Sequence, residues 1–143
     1  MTLPKVCLLI GTLWLAACAP SGPKGVDPDV LAQAVGDAVG DPGTCVILAE
    51  RDSGKVLWRS AKPIVCARAL PSCVSPARMT VEDLVDKAAK GGALVTGCAD
   101  VGWAAGPTRR DDVVFAAVMQ GERALPGIEV ARRLDKAFER AGL

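Results

Sequence analysis

The side chains of this chain that could do covalent chemistry are hydroxyls and thiols, and little stands beside them to act as a base. There is no histidine, so a Ser-His or Cys-His couple is excluded. The densest run is Cys66-Ala67-Arg68-Ala69-Leu70-Pro71-Ser72-Cys73-Val74-Ser75-Pro76-Ala77-Arg78. Ser72 and Ser75 are its hydroxyls. Arg78 is the nearest cation downstream, and a guanidinium stays protonated at any useful pH, so it cannot accept a proton. A second run, Ala93 to Gly106, reads as two short strands around a tight turn, with Thr96-Gly97 in the first and Gly102-Trp103-x-x-Gly106 in the second. Trp103 suits a core or half-buried position, with a ligand platform as the alternative. Asp111-Asp112 could hold a metal, but beside Arg109-Arg110 they read as polar turn residues. Glu50, Arg51 and Asp52 read the same way. No cofactor or metal is expected.

Six cysteines divide by position. Cys7 and Cys18 lie near the N-terminus, where Lys5 precedes the apolar stretch Val6 to Leu15 and Leu15-Ala16-Ala17-Cys18 follows. That run matches the lipobox of bacterial lipoproteins, so residues 1–17 are expected to be a signal peptide and Cys18 a lipidated N-terminus. Residues 18–26, rich in Pro, Gly and Ser, read as a flexible tether, and 27–143 as one domain. Ala19 after the cysteine favours the outer membrane, facing the periplasm. In an oxidising compartment Cys45, Cys66, Cys73 and Cys98 are expected to form two disulfides, in any of three pairings. A four-cysteine zinc site is the rival, disfavoured because no C-x-x-C spacing is present.

Composition narrows the partners. Lys and Arg number 17 against 16 Asp and Glu, and no basic stripe or aromatic platform accompanies them, which argues against nucleic acid. Half the residues are hydrophobic while aromatics are scarce, so the core must be built from Val, Leu and Ala. The partners expected are a membrane, through the lipid anchor, and an envelope protein or peptidoglycan.

The elements that must position these residues follow from pattern. Asp27-Pro28 reads as a cap and first turn, with Val30, Leu31, Ala34, Val35 and Ala38 at helical spacing. Thr44–Glu50 and Lys55–Arg59 flank the turn Asp52-Ser53-Gly54 as a hairpin. Residues 61–79, with Pro63, Pro71 and Pro76, read as irregular. Thr80 to Asp83 resembles a capping box for a helix ended by Gly91-Gly92. Strands are predicted at Ala93–Thr96, Val101–Ala105 and Val113–Met119, the last apolar enough to be covered on both faces. Gly127 to Gly142 is an amphipathic helix, its basic side interspersed with acids. The order α-β-β-α-β-β-β-α implies an α+β fold, an antiparallel sheet of five strands with helices at both termini.

This order and several runs resemble the α/β half of penicillin-recognising serine acyl enzymes, class D β-lactamases in particular. Thr44 to Leu57 resembles the family's first hairpin, Cys66 to Cys73 the approach to the nucleophile, Val95-Thr96-Gly97 the Lys-Thr-Gly strand, Val114 to Met119 the final strand, and Pro126 to Leu143 the C-terminal helix. The departures decide what the resemblance implies. The family's Ser-x-x-Lys is here Ser75-x-x-Arg78, and the lysine of Lys-Thr-Gly is Val95, so the proton acceptor and the anchor for a substrate carboxylate are both missing. Only residues 76–96 separate Ser75 from Gly97, where the family has a whole helical domain. The resemblance favours Cys45–Cys66, which leaves Cys73 with Cys98 across the old catalytic position. It implies a non-catalytic envelope lipoprotein with a binding or structural role, Ser75, Arg78, Thr96 and Gly97 being vestigial. The alternative is a weak β-lactam-binding or β-lactam-hydrolysing enzyme with Ser75 as nucleophile and Lys87 or Lys90 as a base brought in by the fold. A third reading uses the open sheet edge to add a partner's strand.

Overall fold

The computed structural model describes residues 21–143; the segment 1–17, Cys7 and Cys18 lie outside the described residues. In chain order the elements are α1 (Pro28–Val39), β1 (Thr44–Glu50), β2 (Val56–Arg59), α2 (Pro63–Cys66), β3 (Leu70–Pro71), β4 (Arg78–Met79), α3 (Val81–Ala89), β5 (Leu94–Cys98), β6 (Val101–Pro107), β7 (Val113–Gln120) and α4 (Gly127–Ala141).

Local chemistry accounts for the helix ends. The Asp27 carboxylate accepts from the backbone N–H of Asp29 at 2.8 Å and of Val30 at 3.2 Å, and Pro28 fills a position whose N–H has no helical partner. Thr80 and Asp83 form the reciprocal capping box of α3: Thr80 Oγ1 accepts from the Asp83 N–H at 3.0 Å, and the Asp83 carboxylate accepts from the Thr80 N–H at 2.9 Å. Gly142 ends α4 at φ 87°, the left-handed conformation that glycine adopts without a Cβ penalty.

The fold is α+β. Five strands form an antiparallel sheet in the order β2-β1-β7-β6-β5. β7, the apolar run Val113 to Met119, is central and buried throughout. Strand alternation splits the core in two. On one face Val46, Leu48, Trp58, Phe115 and Ala117 meet Leu31 and Val35 of α1 and Val130, Leu134 and Phe138 of α4. Phe115 and Phe138 contact edge to face, centroids 5.4 Å apart. On the other, Ile47, Trp103, Val114, Ala116 and Val118 meet Val81, Leu84, Val85 and Ala88 of α3.

Two expectations need correction. Residues 61–79 are more regular than their prolines suggested: Pro63 opens the single-turn α2, where a missing N–H costs nothing, and β3 pairs β4 as a two-residue ladder, Leu70 opposite Met79. Residues 22–26 of the expected tether are docked. Val26 is buried in the α1 side of the core, the Gly22 N–H donates to the Leu57 carbonyl at 2.9 Å, and Arg110 donates to the Lys24 carbonyl at 2.7 Å. An apolar valine and an open edge of β2 were enough to draw the segment onto the sheet.

Candidate functional site

The hydroxyls of the 61–79 segment sit at one end of the sheet. β3 and β4 are the stem of a narrow loop, residues 72–77, whose tip lies against the last residue of β5. Ser72 is its hub and is fully buried. Its N–H donates to the Ala77 carbonyl at 3.0 Å, its hydroxyl reaches the carbonyls of Val74, at 2.9 Å, and Pro76, and the Val74 N–H donates to its oxygen at 3.2 Å. A hydroxyl so engaged is a turn organiser rather than a nucleophile. Ser75 is exposed at the tip. Arg78 is exposed and donates to the Ala69 carbonyl, which closes the stem.

The cysteines pair as Cys45–Cys66 and Cys73–Cys98, both with Cα atoms 5.3 Å apart. All four thiols of the rival zinc reading are thereby used. Cys45–Cys66 is buried beneath α3. Cys73–Cys98 joins the loop tip to the end of β5, with Cys73 exposed.

β5 carries Thr96 and Gly97, and its alternation places them apart. Leu94 packs with the α3 side of the core, so Thr96 and Cys98 share that face with the loop, while Val95 and Gly97 face α4. Thr96 pairs with Trp103 of β6. Trp103 is fully buried, and its indole N–H donates to the Pro71 carbonyl at 2.8 Å. It is a core residue that fastens the 61–79 segment to the sheet.

No hydrogen bond joins Lys87 or Lys90 to Ser75 among the described residues, and the two lysines enter from the other end of β5. Lys90 ends α3 and leads through Gly91–Ala93 into the Leu94 end of β5. The Lys87 stem lies beside Gly92 in the same connection. Ser75 is tied through Cys73 to the Cys98 end, and at about 3.3 Å per residue the two ends of β5 are roughly 13 Å apart.

The hairpin glycines serve close packing, as their pattern implies, and the partner the pattern did not identify is the start of α4. A Cβ on Gly102 would lie 1.9 Å from the Leu125 carbonyl oxygen. One on Gly127 would lie 2.2 Å from the Trp103 oxygen and 2.3 Å from the Thr96 oxygen. One on Gly97 would lie 3.8 Å from the Gly127 nitrogen, an ordinary contact. The start of α4 therefore presses backbone to backbone on the β5–β6 hairpin.

Of the remaining acidic candidates, Asp112 and Glu50 have side-chain partners at the surface. Asp112 is held by Arg110 at 3.1 and 2.8 Å, and that hydrogen bonding keeps its carboxyl below the usual carboxylate range. Glu129 accepts from Arg132 and Arg133, which pull its pKa from 4.5 to about 2. Glu50 accepts from the Ser53 hydroxyl at 2.7 Å and belongs to the first turn. Among the described residues no group of three acidic, cysteine or histidine side chains converges. A cleft of about 190 Å³ opens between α1 and β2, lined by Val35, Gly36, Asp41, Thr44 and Trp58 among others. No helix of the described residues is long and apolar enough to cross a membrane. Neither a protein-family model, nor a curated protein, nor a solved structure matches the chain.

Proposed function

We propose that this chain is a non-catalytic lipoprotein of the bacterial envelope, anchored through Cys18 and built on a reduced penicillin-binding-like domain, with a binding or structural role. The observation that carries the reading is that, among the described residues, no base hydrogen-bonds to Ser75. Ser75 is exposed at a loop tip, Arg78 is engaged with the Ala69 carbonyl, and Lys87 and Lys90 lie at the end of α3 that leads into the Leu94 end of β5. A serine without a base is a poor nucleophile. Cys73–Cys98 further occupies the gap between loop and strand where the resemblance would put a substrate. Leu15-Ala16-Ala17-Cys18 and two disulfides support export.

Labelling with a fluorescent penicillin tests the catalytic half of the proposal. No covalent adduct is expected; an adduct that disappears in Ser75→Ala would overturn it in favour of a serine acyl enzyme. Metabolic labelling with a palmitate analogue tests the anchor, and incorporation that survives Cys18→Ala would refute it.

A further inference from the structure

We propose that Cys73–Cys98 is a thiol–disulfide exchange site for an external dithiol, and that Cys45–Cys66 is not. The inference is independent of whether Ser75 is reactive. The two bridges differ in access. Cys45 and Cys66 are both 0% exposed, within the core that includes Ile47 and Val118. Cys73 is exposed, Cys98 is half-buried, and residues 73–78 are exposed throughout. Exchange proceeds by thiolate attack along an open approach to a sulfur, so only the outer bridge meets that requirement in the folded state. Cys73 is also a non-glycine residue at φ 55°, a conformation L-residues avoid.

The rest of the segment does not depend on that bridge. Leu70 and Met79 are buried opposite each other, Pro71 receives the Trp103 indole N–H, Ser72 holds the turn from within, and Cys66 anchors the other end. Opening is therefore local. One sulfur of the dithiol, as thiolate, attacks the Cys73 sulfur; the S–S bond breaks, Cys98 leaves as thiolate, and a mixed disulfide joins Cys73 to the reagent. The reagent's second sulfur then attacks its own partner in that mixed bond, expels Cys73 as thiolate and closes the oxidised reagent. Two electrons pass to the bridge, and the two protons of the dithiol end on Cys73 and Cys98. The product has a freed loop tip beside the unpaired outer edge of β5.

The test uses the full chain in native buffer with dithiothreitol, quenched by alkylation at intervals and mapped by peptide mass. Cys73 and Cys98 should be alkylated at least about a hundredfold faster than Cys45 and Cys66, because the inner pair needs a much larger opening. Tryptophan fluorescence should stay native while the outer pair reacts. Equal rates at the two bridges, or an outer bridge that opens only in denaturant, would overturn the proposal. The double variant Cys73→Ser/Cys98→Ser should fold with Cys45–Cys66 intact and native fluorescence; an unfolded variant would equally overturn it.

Discussion

Replacing Gly102 by alanine tests whether the glycines of the β5–β6 hairpin serve packing. The new Cβ would lie 1.9 Å from the Leu125 carbonyl oxygen and 3.1 Å from its carbon. An unstrained carbon–oxygen contact is about 3.2 Å, so Leu125 must withdraw by roughly 1.3 Å, in a core whose packing resists even a methylene of added volume. The chain there has no room to slide, since two residues on Gly127 is itself against the carbonyls of Trp103 and Thr96. The start of α4 must lift, and it carries Val130, Leu134 and Phe138 from the core. Overpacking of this kind costs about 1–3 kcal/mol. We expect the upper end, about 3 kcal/mol, because the clash is with backbone rather than a flexible side chain. In a domain of this size that lowers Tm by roughly 10 °C. Urea unfolding followed by tryptophan fluorescence reads the change directly. Gly36→Ala is the control: a Cβ there meets nothing within 4 Å, and exchanging a helix-interior glycine for alanine should stabilise by about 0.5–1 kcal/mol. A Gly102→Ala midpoint within about 0.5 kcal/mol of the parent, the scatter of neutral surface changes, would refute the close approach and return the glycines to some other role.

Ala99 turns the β5–β6 hairpin at φ 48°; Ala99→Gly should relieve that strain and, net of glycine's own entropy, raise stability by about 0.5 kcal/mol in the same urea assay. Trp103→Phe keeps most of the ring but leaves the Pro71 carbonyl without its donor, a loss of about 1–3 kcal/mol, accompanied by faster amide exchange in residues 70–79. Glu129 titrates near 2 rather than 4.5 because Arg132 and Arg133 hold it. A depressed carboxyl stabilises the folded state above its unfolded pKa, so this contribution is whole above pH 4.5 and fades as pH falls toward 2. Carboxyl-carbon NMR should give a midpoint near 2, returning toward 4.5 in the double variant Arg132→Gln/Arg133→Gln.

What was legible in the sequence was what repeats or caps. The 3.6-residue spacing of Leu31, Ala34 and Val35, the Thr80–Asp83 box, and the unbroken apolar run of Val113 to Met119 each admit one local answer, and the elements match them. The 61–79 segment was not legible, because its order comes from contacts distant in sequence. The Trp103 indole finds Pro71 across 32 positions, and nothing in Pro71 itself announces an acceptor. The docking of residues 22–26 escaped for a related reason: Gly22 pairs with Leu57 through backbone groups that every residue has. For the candidate site, sequence identified which side chains lacked a base. It could not say that strand alternation turns Val95 to the face away from Ser75, so that restoring a lysine at 95 would not by itself put an amine beside that hydroxyl.

Geometry explains why the outer flank of this sheet relies on a tryptophan hydrogen bond, and why a surface disulfide ties only its loop tip. Five strands at about 4.8 Å spacing span roughly 19 Å from first to last, whereas a single helix covers only about 10 Å. On the α1 side two helices share the width. On the opposite side α3 lies over β1, β7 and β6, and the remaining area toward β5 falls to the 61–79 segment, whose regular parts are one helical turn and a two-residue ladder. Such a segment buries little apolar surface per residue and gains little from cooperativity with neighbours, so point fastenings must hold it. Trp103 supplies one from within the core. Ser72 supplies another within the turn, and Cys73–Cys98 ties only the loop tip, at the rim. The division accounts for the different burial of the two bridges: Cys45–Cys66 lies where packing is dense and adds to it, and Cys73–Cys98 lies at the rim, where packing ends.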